Sequence, residues 1–579
     1  MRFKNMVGHA LCANPKKTDS KESQKCANMK KIVRFILSGA LLASLLGGGA
    51  AQAQGIVNYR FGGLMMDRDG MMSNDMYSLS QVNFGFGTAR SMAMAGAFTS
   101  LGGDIAAMGI NPAGLGMYRS NDVSITPMLS FTSASNNAES WGSNARNRFA
   151  MGNVGAVINL TEGNGSLLSI NLGVGYNRVA DFNYSYGYTS QSAPSLSPYR
   201  SIVDAFSRQI GQGGVFPEGG ALNYDYSTAY YWGGALAYNA YLLDVGRDAA
   251  GEYWTSANSI GVNATTGHTV GMESKGSIGE YDLAIGMNFA NKLYVGATLG
   301  IQSVNWKRQI YYGEDYIYTS TPVDSQGEAL AYPASMMDYN QAVNISGVGV
   351  NLKLGVIYRP LPSLRIGVAL HTPTYYSLER TYQAYMSSNF NPSGDTTPSL
   401  EDLGHNAWEF ASPTRFMAGI SYSFSRFAVI SVDYERDWYN GMRALNVPEG
   451  FDIPTYIYND EFKDNFKGSN TLRVGAEIKP LKFMALRAGY GIANGALRNN
   501  KELYYNRPLN HKTTCISAGV GFAIGATTID VAYQSISNSM TDYMLYYAVD
   551  GAGNFDTASP TYSTKLKRNY VMLTWGYKF

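Results

Sequence analysis

The chain has 579 residues, 45 Lys/Arg against 43 Asp/Glu for a formal charge of +2, with Gly (64) and Tyr (43) abundant and Cys (3) scarce. Nine of the basic and two of the acidic residues lie within 1–53, so the remainder carries 36 against 41 and is mildly acidic. With no basic cluster elsewhere this excludes nucleic acid as a partner, and with Cys515 alone outside that leader it excludes a disulfide framework.

Residues 1–28 form an upstream leader, read as a mis-assigned start ahead of Met29. Residues 29–53 have the form of a signal peptide: Lys30, Lys31 and Arg34 at the start, an apolar centre from Phe35 to Leu46, and Ala51-Gln52-Ala53 as the cleavage site. The mature chain would begin near Gln54. Beyond it no apolar run approaches the roughly 20 residues of a membrane-spanning helix. A mean hydropathy of −0.17 would suit a soluble protein, but much Gly and Tyr with little charge fits strands that are apolar on one face only.

Residues 54–119 lack strand alternation. They hold Met65, Met66, Met71, Met72, Met76, Met92, Met94 and Met108, whose flexible thioethers suit gap-filling or an adaptable ligand lining. Asp67-Arg68-Asp69-Gly70 starts like a calcium loop, but the later acidic ligands are missing. No metal and no cofactor is expected.

From residue 120 onward, alternating strands are joined by short and long connections in turn. Leu168, Ile170, Leu172, Val174 and Tyr176 oppose Ser169, Asn171, Gly173, Gly175 and Asn177, and comparable alternation recurs in strands near 120–133, 146–161, 166–187, 268–290, 292–311, 343–359, 362–384, 411–424, 426–440, 469–480, 482–495, 511–525, 526–540 and 565–579. Short links at Thr161–Gly165, Asn291, Pro360-Leu361, Ser425, Leu481 and Ile524–Thr527 alternate with long ones at 134–145, 188–267, 312–342, 385–410, 441–468, 496–510 and 541–564. The expected fold is all-β: a transmembrane antiparallel β-barrel of about 14 strands over 120–579, in the outer membrane of a Gram-negative bacterium, both termini periplasmic. The closing strand puts Val571, Leu573, Trp575, Tyr577 and Phe579 on one lipid-facing side. Trp575, Tyr577 and Phe579 are the expected signal for the barrel-insertion machinery.

The inward positions include Lys353, Arg365, Arg415, Asp433, Glu435, Arg473, Glu477 and Arg487, a polar bore of mixed sign. A bore of about 14 strands leaks unless blocked, and 54–119 are the expected plug. Loop 188–267 is too long to lack structure. Ile202, Ala205, Phe206 and Ile210 have helical spacing, as do Tyr231, Ala235, Tyr238 and Leu242. These faces either form a capture groove, with Phe206, Ile210, Tyr231, Tyr238, Leu242, Met92 and Met94 as ligand contacts, or pack on each other and the rim. In 166–187, Asn177, Arg178, Asp181 and Phe182 interrupt the alternation, as a bulge or a lateral exit would.

Enzyme chemistry finds no support. His268, His371, His405 and His511 sit on separate strands or loops, and neither a Gly-x-Ser-x-Gly elbow nor a His-Glu-x-x-His pair occurs. No His pair suits axial haem ligation either.

The stretch Gly96-Ala97-Phe98, Asp104, Asn111-Pro112-Ala113-Gly114-Leu115 resembles, in order and spacing, the N-terminal hatch of the FadL/TodX family of outer-membrane transport proteins. Gly109-Ile110 stand where that family often has an aromatic. The resemblance implies capture of a hydrophobic small molecule, such as a long-chain fatty acid or aromatic hydrocarbon, among extracellular loops. A movement of the hatch, with Phe98, Asp104, Asn111, Pro112, Ala113 and Gly114 as gating residues, and a sideways exit through a kinked third strand would follow. A monomer in contact with outer-membrane lipid and lipopolysaccharide is expected. A non-transporting adhesin or haem-binding receptor, and a porin for polar solutes, are the alternatives.

Overall fold

In the computed structural model the described residues are Gly62, Gly63 and 73–579, apart from 82–83, 85–86, 139, 144–145, 163–164, 193–200, 214–231, 248–252, 258, 325, 392–395, 399–401, 447–454, 499–511, 544–545, 550–554 and 560–561. They build a closed antiparallel barrel. Its staves in chain order are β1 (Asp122–Asn136), β2 (Ser140–Ser143 and Arg146–Glu162), β3 (Leu167–Asp181 and Tyr184–Ser192), β4 (Thr265–Phe289), β5 (Leu293–Ile317), β6 (Ala334–Leu361) and β7 (Leu364–His371 and Tyr375–Phe390). The second half comprises β8 (Asp402–Ala411 and Arg415–Phe424), β9 (Ala428–Trp438 and Arg443–Asn446), β10 (Gly468–Leu481), β11 (Met484–Ala493), β12 (Lys512–Ile524), β13 (Thr527–Tyr543) and β14 (Tyr562–Lys578). Each stave pairs with the next, and β14 closes on β1 from Asp122↔Lys578 to Asn136↔Thr564.

Tight turns join alternate staves at one end. Ala290, Asn291, Ser425 and Gly525 take positive φ there, the backbone twist that short hairpins demand. The link after β6 falls at Pro362-Ser363, two residues later than expected.

Polarity inverts along the staves. At the tight-turn end of β5, Leu293, Leu299 and Ile301 face outward and exposed, while Thr298 and Gln302 face the bore. Above that level Ser303, Asn305, Lys307 and Gln309 are outside, and Val304, Trp306, Ile310 and Tyr312 are buried inside. The same reversal occurs in β14, where Leu573, Trp575 and Tyr577 are outside below, Lys565 and Lys567 outside above, and Leu566 and Tyr562 buried within. The lower zone is a lipid-facing belt. Exposed Tyr358, Phe424 and Tyr577 border it at the turn end, and Tyr281, Tyr434, Tyr490 and Tyr533 at the other, as the aromatic girdles of outer-membrane barrels do.

The upper zone is a barrel standing in water with an apolar core of its own. This explains the staves that overrun their expected ends: β6 begins at Ala334 rather than 343, β5 runs to Ile317 and β8 starts at Asp402. Alternation continues there, but with apolar residues inward, so a membrane-strand template misses it. No described helix is long and apolar enough to cross a membrane.

Candidate functional site

The segment 87–118 lies inside the bore, against almost every stave. Helix α2 (Ala89–Ala93) starts at Thr88, whose Oγ1 accepts the Ser91 N–H at 3.3 Å and donates to Asp104 at 2.8 Å. Asp104 also accepts the Ala106 N–H at 2.9 Å, so one carboxylate ties two turns together. The short helix α3 (Ala107–Ile110) ends at Asn111, followed by a 3-10 turn, Pro112–Met117. Pro112 fits that first position because its missing N–H would have no helical partner. The Asn111 amide donates to Thr99 O at 2.7 Å and, more weakly, to the wall carbonyls of Val368 and Val356 at 3.3 and 3.4 Å. Its Oδ1 accepts the Ala113 N–H at 3.1 Å. Asn111 therefore holds both the bend and its seat on the wall.

The wall answers with inward glycines at the contact level. A Cβ at Gly355 would overlap Asn111, one at Gly296 the Pro112 backbone, one at Gly367 the Thr99 carbonyl, and one at Gly489 the Met94–Ala95 peptide. Wall side chains then satisfy plug amides: Thr574 accepts Ala89 N–H at 2.7 Å, Ser517 accepts Ala95 N–H at 2.9 Å, and Asp433 accepts Thr99 N–H at 2.6 Å. Irregular backbone at membrane depth is tolerable only when satisfied in this way. Phe98, Met94 and Leu101 form one small buried cluster; Met92, Ala93 and Cys515 belong to another. Sequence reading did not single out the glycine seats; their signal was a glycine at one level in stave after stave.

Arg90 reaches from the plug to Glu477 at 3.2 Å and to the Gly103 carbonyl at 3.3 Å, over the Phe98 ring. Burial alone would lower its pKa, but Glu477 and Asp104 more than reverse this and hold it charged. Beside the plug lies a cavity of about 100 Å³, lined among others by Lys353, His371, Arg415, Glu435, Asp437 and Arg473. These are paired ions: Lys353 with Glu280 and Asp282, Arg415 with Asp437 at 2.9 Å, Arg473 with Glu435 at 3.0 Å. His371 Nε2 faces the Ile110 carbonyl at 2.9 Å. Phe84, Met92, Ile110 and Met417 line the same cavity, so it offers apolar and charged surface side by side.

The same cavity reaches Asn177, Arg178 and Val179, and there the wall breaks. β2 and β3 pair from Glu162↔Ser169 up to Asn153↔Asn177, and again only at Ser143↔Tyr186. Between those points the described residues of β2 pair with β1 alone and those of β3 with β4 alone. Register shifts lie at this level on both strands, at Thr126/Pro127 opposite β2 and at Arg178/Ala180 in β3; such bulges bend a strand away from its neighbour. Here the Asn183 side chain ties β3 to β4 instead, donating to the Gly276 carbonyl and accepting the Gly276 N–H, both at 3.2 Å. Gly276 sits at φ 124°, with no room for a Cβ beside Asn305. Phe182 stacks on Trp306 with ring centroids 5.0 Å apart. The four residues expected at an exit all belong to this break: Asn177 ends the pairing, bonded to Asn153 and Asp282 at 2.6 Å each, and Arg178, Asp181 and Phe182 follow it.

Above the break, the apolar interior encloses α1 (Ser73–Ser80) and the loop helices α4 (Ile202–Gly213), α5 (Trp232–Asn239) and α6 (Thr455–Asn465). Tyr77 is edge-on to Tyr439 at 4.8 Å, and burial pushes its phenol up to about 12. The helical spacing in loop 188–267 is real, but Ile202, Phe206 and Leu242 are buried packing contacts and Tyr238 packs beside them, so among the described residues these faces meet each other and the wall rather than an open groove. Tyr231, Met65, Met66, Met71, Met72, Asp67, Asp69 and His511 lie outside the described residues, as does the side chain of Ile210.

A Ser, a His and a carboxylate come together at Ser201, Glu314 and His268. Ser201 donates to Glu314 at 2.5 Å, and His268 Nδ1 faces the Tyr312 hydroxyl at 2.7 Å. Glu314 also accepts the Ile202 N–H at 2.8 Å, so the group caps α4 and presents no activated hydroxyl.

No protein-family model matches the chain, and no curated protein does. Solved structures to which it is similar include a FadL homologue of Pseudomonas aeruginosa (12% identity, 86% of this chain and 100% of that one, TM-score 0.49) and the toluene transporter TodX of P. putida (12%, 86% and 99%, TM-score 0.46). The toluene transporter TbuX of Ralstonia pickettii is another (16%, 86% and 99%, TM-score 0.43).

Proposed function

We propose that this chain is an outer-membrane transporter for hydrophobic small molecules, long-chain fatty acids or aromatic hydrocarbons. Loops above the upper zone capture the solute, the plug shifts, and the solute leaves sideways between β2 and β3. The observation that carries the reading is the level of the wall break. It lies where the interior changes from apolar side chains to paired ions, at Phe182 and Trp306 above and Arg178 and Lys353 below. A solute moving down the apolar interior meets rising desolvation cost at that level, where Leu129 and Phe149 expose apolar side chains on the outside of β1 and β2. The apolar belt, its lipid and lipopolysaccharide surroundings, and a C-terminal Trp575, Tyr577 and Phe579 offered to the insertion machinery belong to the same reading.

The test is uptake of radiolabelled oleate and of toluene by cells with and without the gene. Loss of uptake on deletion is expected; unchanged uptake of both overturns the reading, and open-porin conductance in planar bilayers identifies a polar-solute pore instead. Asn111→Ala removes the bonds that hold the plug's bend, at about 1–3 kcal/mol for the groups left unpaired. That variant is expected to assemble as a heat-modifiable barrel yet take up oleate several-fold more slowly.

A further inference from the structure

Exposed cations stand where staves turn at the tight-turn end: Lys292 between β4 and β5, Arg426 between β8 and β9, Lys482 between β10 and β11, and Lys578 at the foot of β14. The turns hold them at the tips. Lys292 closes its own turn, donating its N–H to the Phe289 carbonyl at 3.0 Å. Arg426 lies between Ser425, at φ 55°, and Phe427, whose N–H donates to the Phe424 carbonyl at 3.1 Å. Each of these cations is followed at once by an exposed apolar side chain: Leu293, Phe427, Phe483 and Phe579, at 38, 60, 51 and 62%.

The tips lie at the edge of the belt that Tyr358, Phe424 and Tyr577 border. There the apolar member of each pair can reach acyl chains while the Lys or Arg head extends to the phosphates, as snorkelling side chains do. The sign of charge at this edge is uniform. Among the described side chains, the carboxylates of this end, Asp122, Glu477 and Asp530, are turned into the bore and buried. Outward charges on the upper zone are mixed instead: Glu273 pairs with Lys275 at 2.6 Å, and exposed Lys307 shares β5 with exposed Asp315. The pairs are also spread around the ring, from β4 to β14. A partner docked on one side of the wall would reach one or two of them, and one approaching along the axis would leave their apolar neighbours in water. A leaflet meets them all.

We propose that this collar binds the phosphate headgroups of anionic phospholipids in the leaflet at the tight-turn end, one lipid at each cation–apolar pair. The proposal rests on the membrane placement in the transport reading and is independent of the solute carried.

The protein purified in detergent is mixed with equal amounts of phosphatidylglycerol and phosphatidylcholine of the same acyl chains, and the retained lipids are identified by native mass spectrometry. A roughly fivefold preference for phosphatidylglycerol at each site is expected at low salt, falling toward parity at about 1 M salt. Lys292→Gln/Arg426→Gln/Lys482→Gln is expected to remove most of it; Lys578 is kept because the closing strand is the one offered to the insertion machinery. Arg426→Gln alone, in an exposed turn, serves where the triple variant fails to assemble, and is expected to lose one retained phosphatidylglycerol. Lys307→Gln, far above the belt, is expected to change nothing. Equal retention of the two lipids by the parent, or an undiminished preference in the turn variants, overturns the collar. An equal loss in Lys307→Gln does so too, because net charge alone would then explain the preference. Lipopolysaccharide retained ahead of phosphatidylglycerol, and lost in the same variants, overturns the assignment to phospholipid. Uptake is measured in parallel. A preference for phosphatidylglycerol in a parent that takes up neither oleate nor toluene leaves the collar standing and removes the transport reading; normal uptake without the preference removes the collar alone.

Discussion

Gly355→Val is expected to turn a sealed barrel into a leaking one. The new side chain would occupy the position of Asn111 and press on Pro112, on a stave whose seam with β5 is long and regular. Overpacking of this kind costs about 1–3 kcal/mol where neighbours can shift. Here the neighbour that gives way is the plug, because the wall is closed and the plug is held by individual hydrogen bonds. The expected outcome is a normal heat-modifiable band, a large rise in single-channel conductance, sensitivity to bulky antibiotics the parent excludes, and loss of selective oleate uptake. Unchanged conductance with a folded barrel would mean that the seat is not where the plug is retained. Gly165, in a tight turn with open space around it, is the control: Gly165→Val is expected to change nothing.

Gly276→Ala is expected to abolish uptake by a different route. Gly276 combines φ 124° with contact to the Asn305 carbonyl, so even a methyl group forces β4 out of the shape that receives Asn183. Strain at such positions is worth about 1–3 kcal/mol before any clash is counted. The stretch of β3 that borders the break then loses the side-chain bridge that ties it to β4. Amide exchange should rise around 178–185 and 274–278, with the seams from β8 through β13 unchanged, and oleate uptake should fall by about tenfold or more if the lateral route carries most of the flux. Uptake at the parental rate with the altered exchange pattern would show that solute does not leave at this break.

The lower zone of the barrel was legible in the sequence because lipid demands strict alternation. Strand β10 was expected at 469–480 and lies at Gly468–Leu481; β12 was expected at 511–525 and lies at Lys512–Ile524. The inward ions were equally legible, from Lys353 to Arg487, because a charge on an alternating strand can face only the bore. The partners of those ions were not, since Lys353 meets Glu280 and Asp282 from a stave some seventy residues away in sequence. The upper zone was hidden by its reversed polarity. The wall break was half visible: Asn177 to Phe182 flagged it, but the bridging Asn183 and the obligatory Gly276 were not distinguished, because their role arises only when β3 and β4 are side by side. Helix spacing in 202–213 was correct as secondary structure and silent about its surroundings, so Phe206 read equally as a ligand contact and as core.

The reversal on β5 also sets a height. Sixteen residues, 302–317, continue past Ile301, the last outward apolar side chain below the polar run. At a rise of about 3.3 Å per residue and a tilt near 40°, they lift the rim on the order of 40 Å beyond the hydrocarbon. On the proposed transport reading, a rim at that height would meet solutes from the surrounding medium above the sugar layer that slows direct partition.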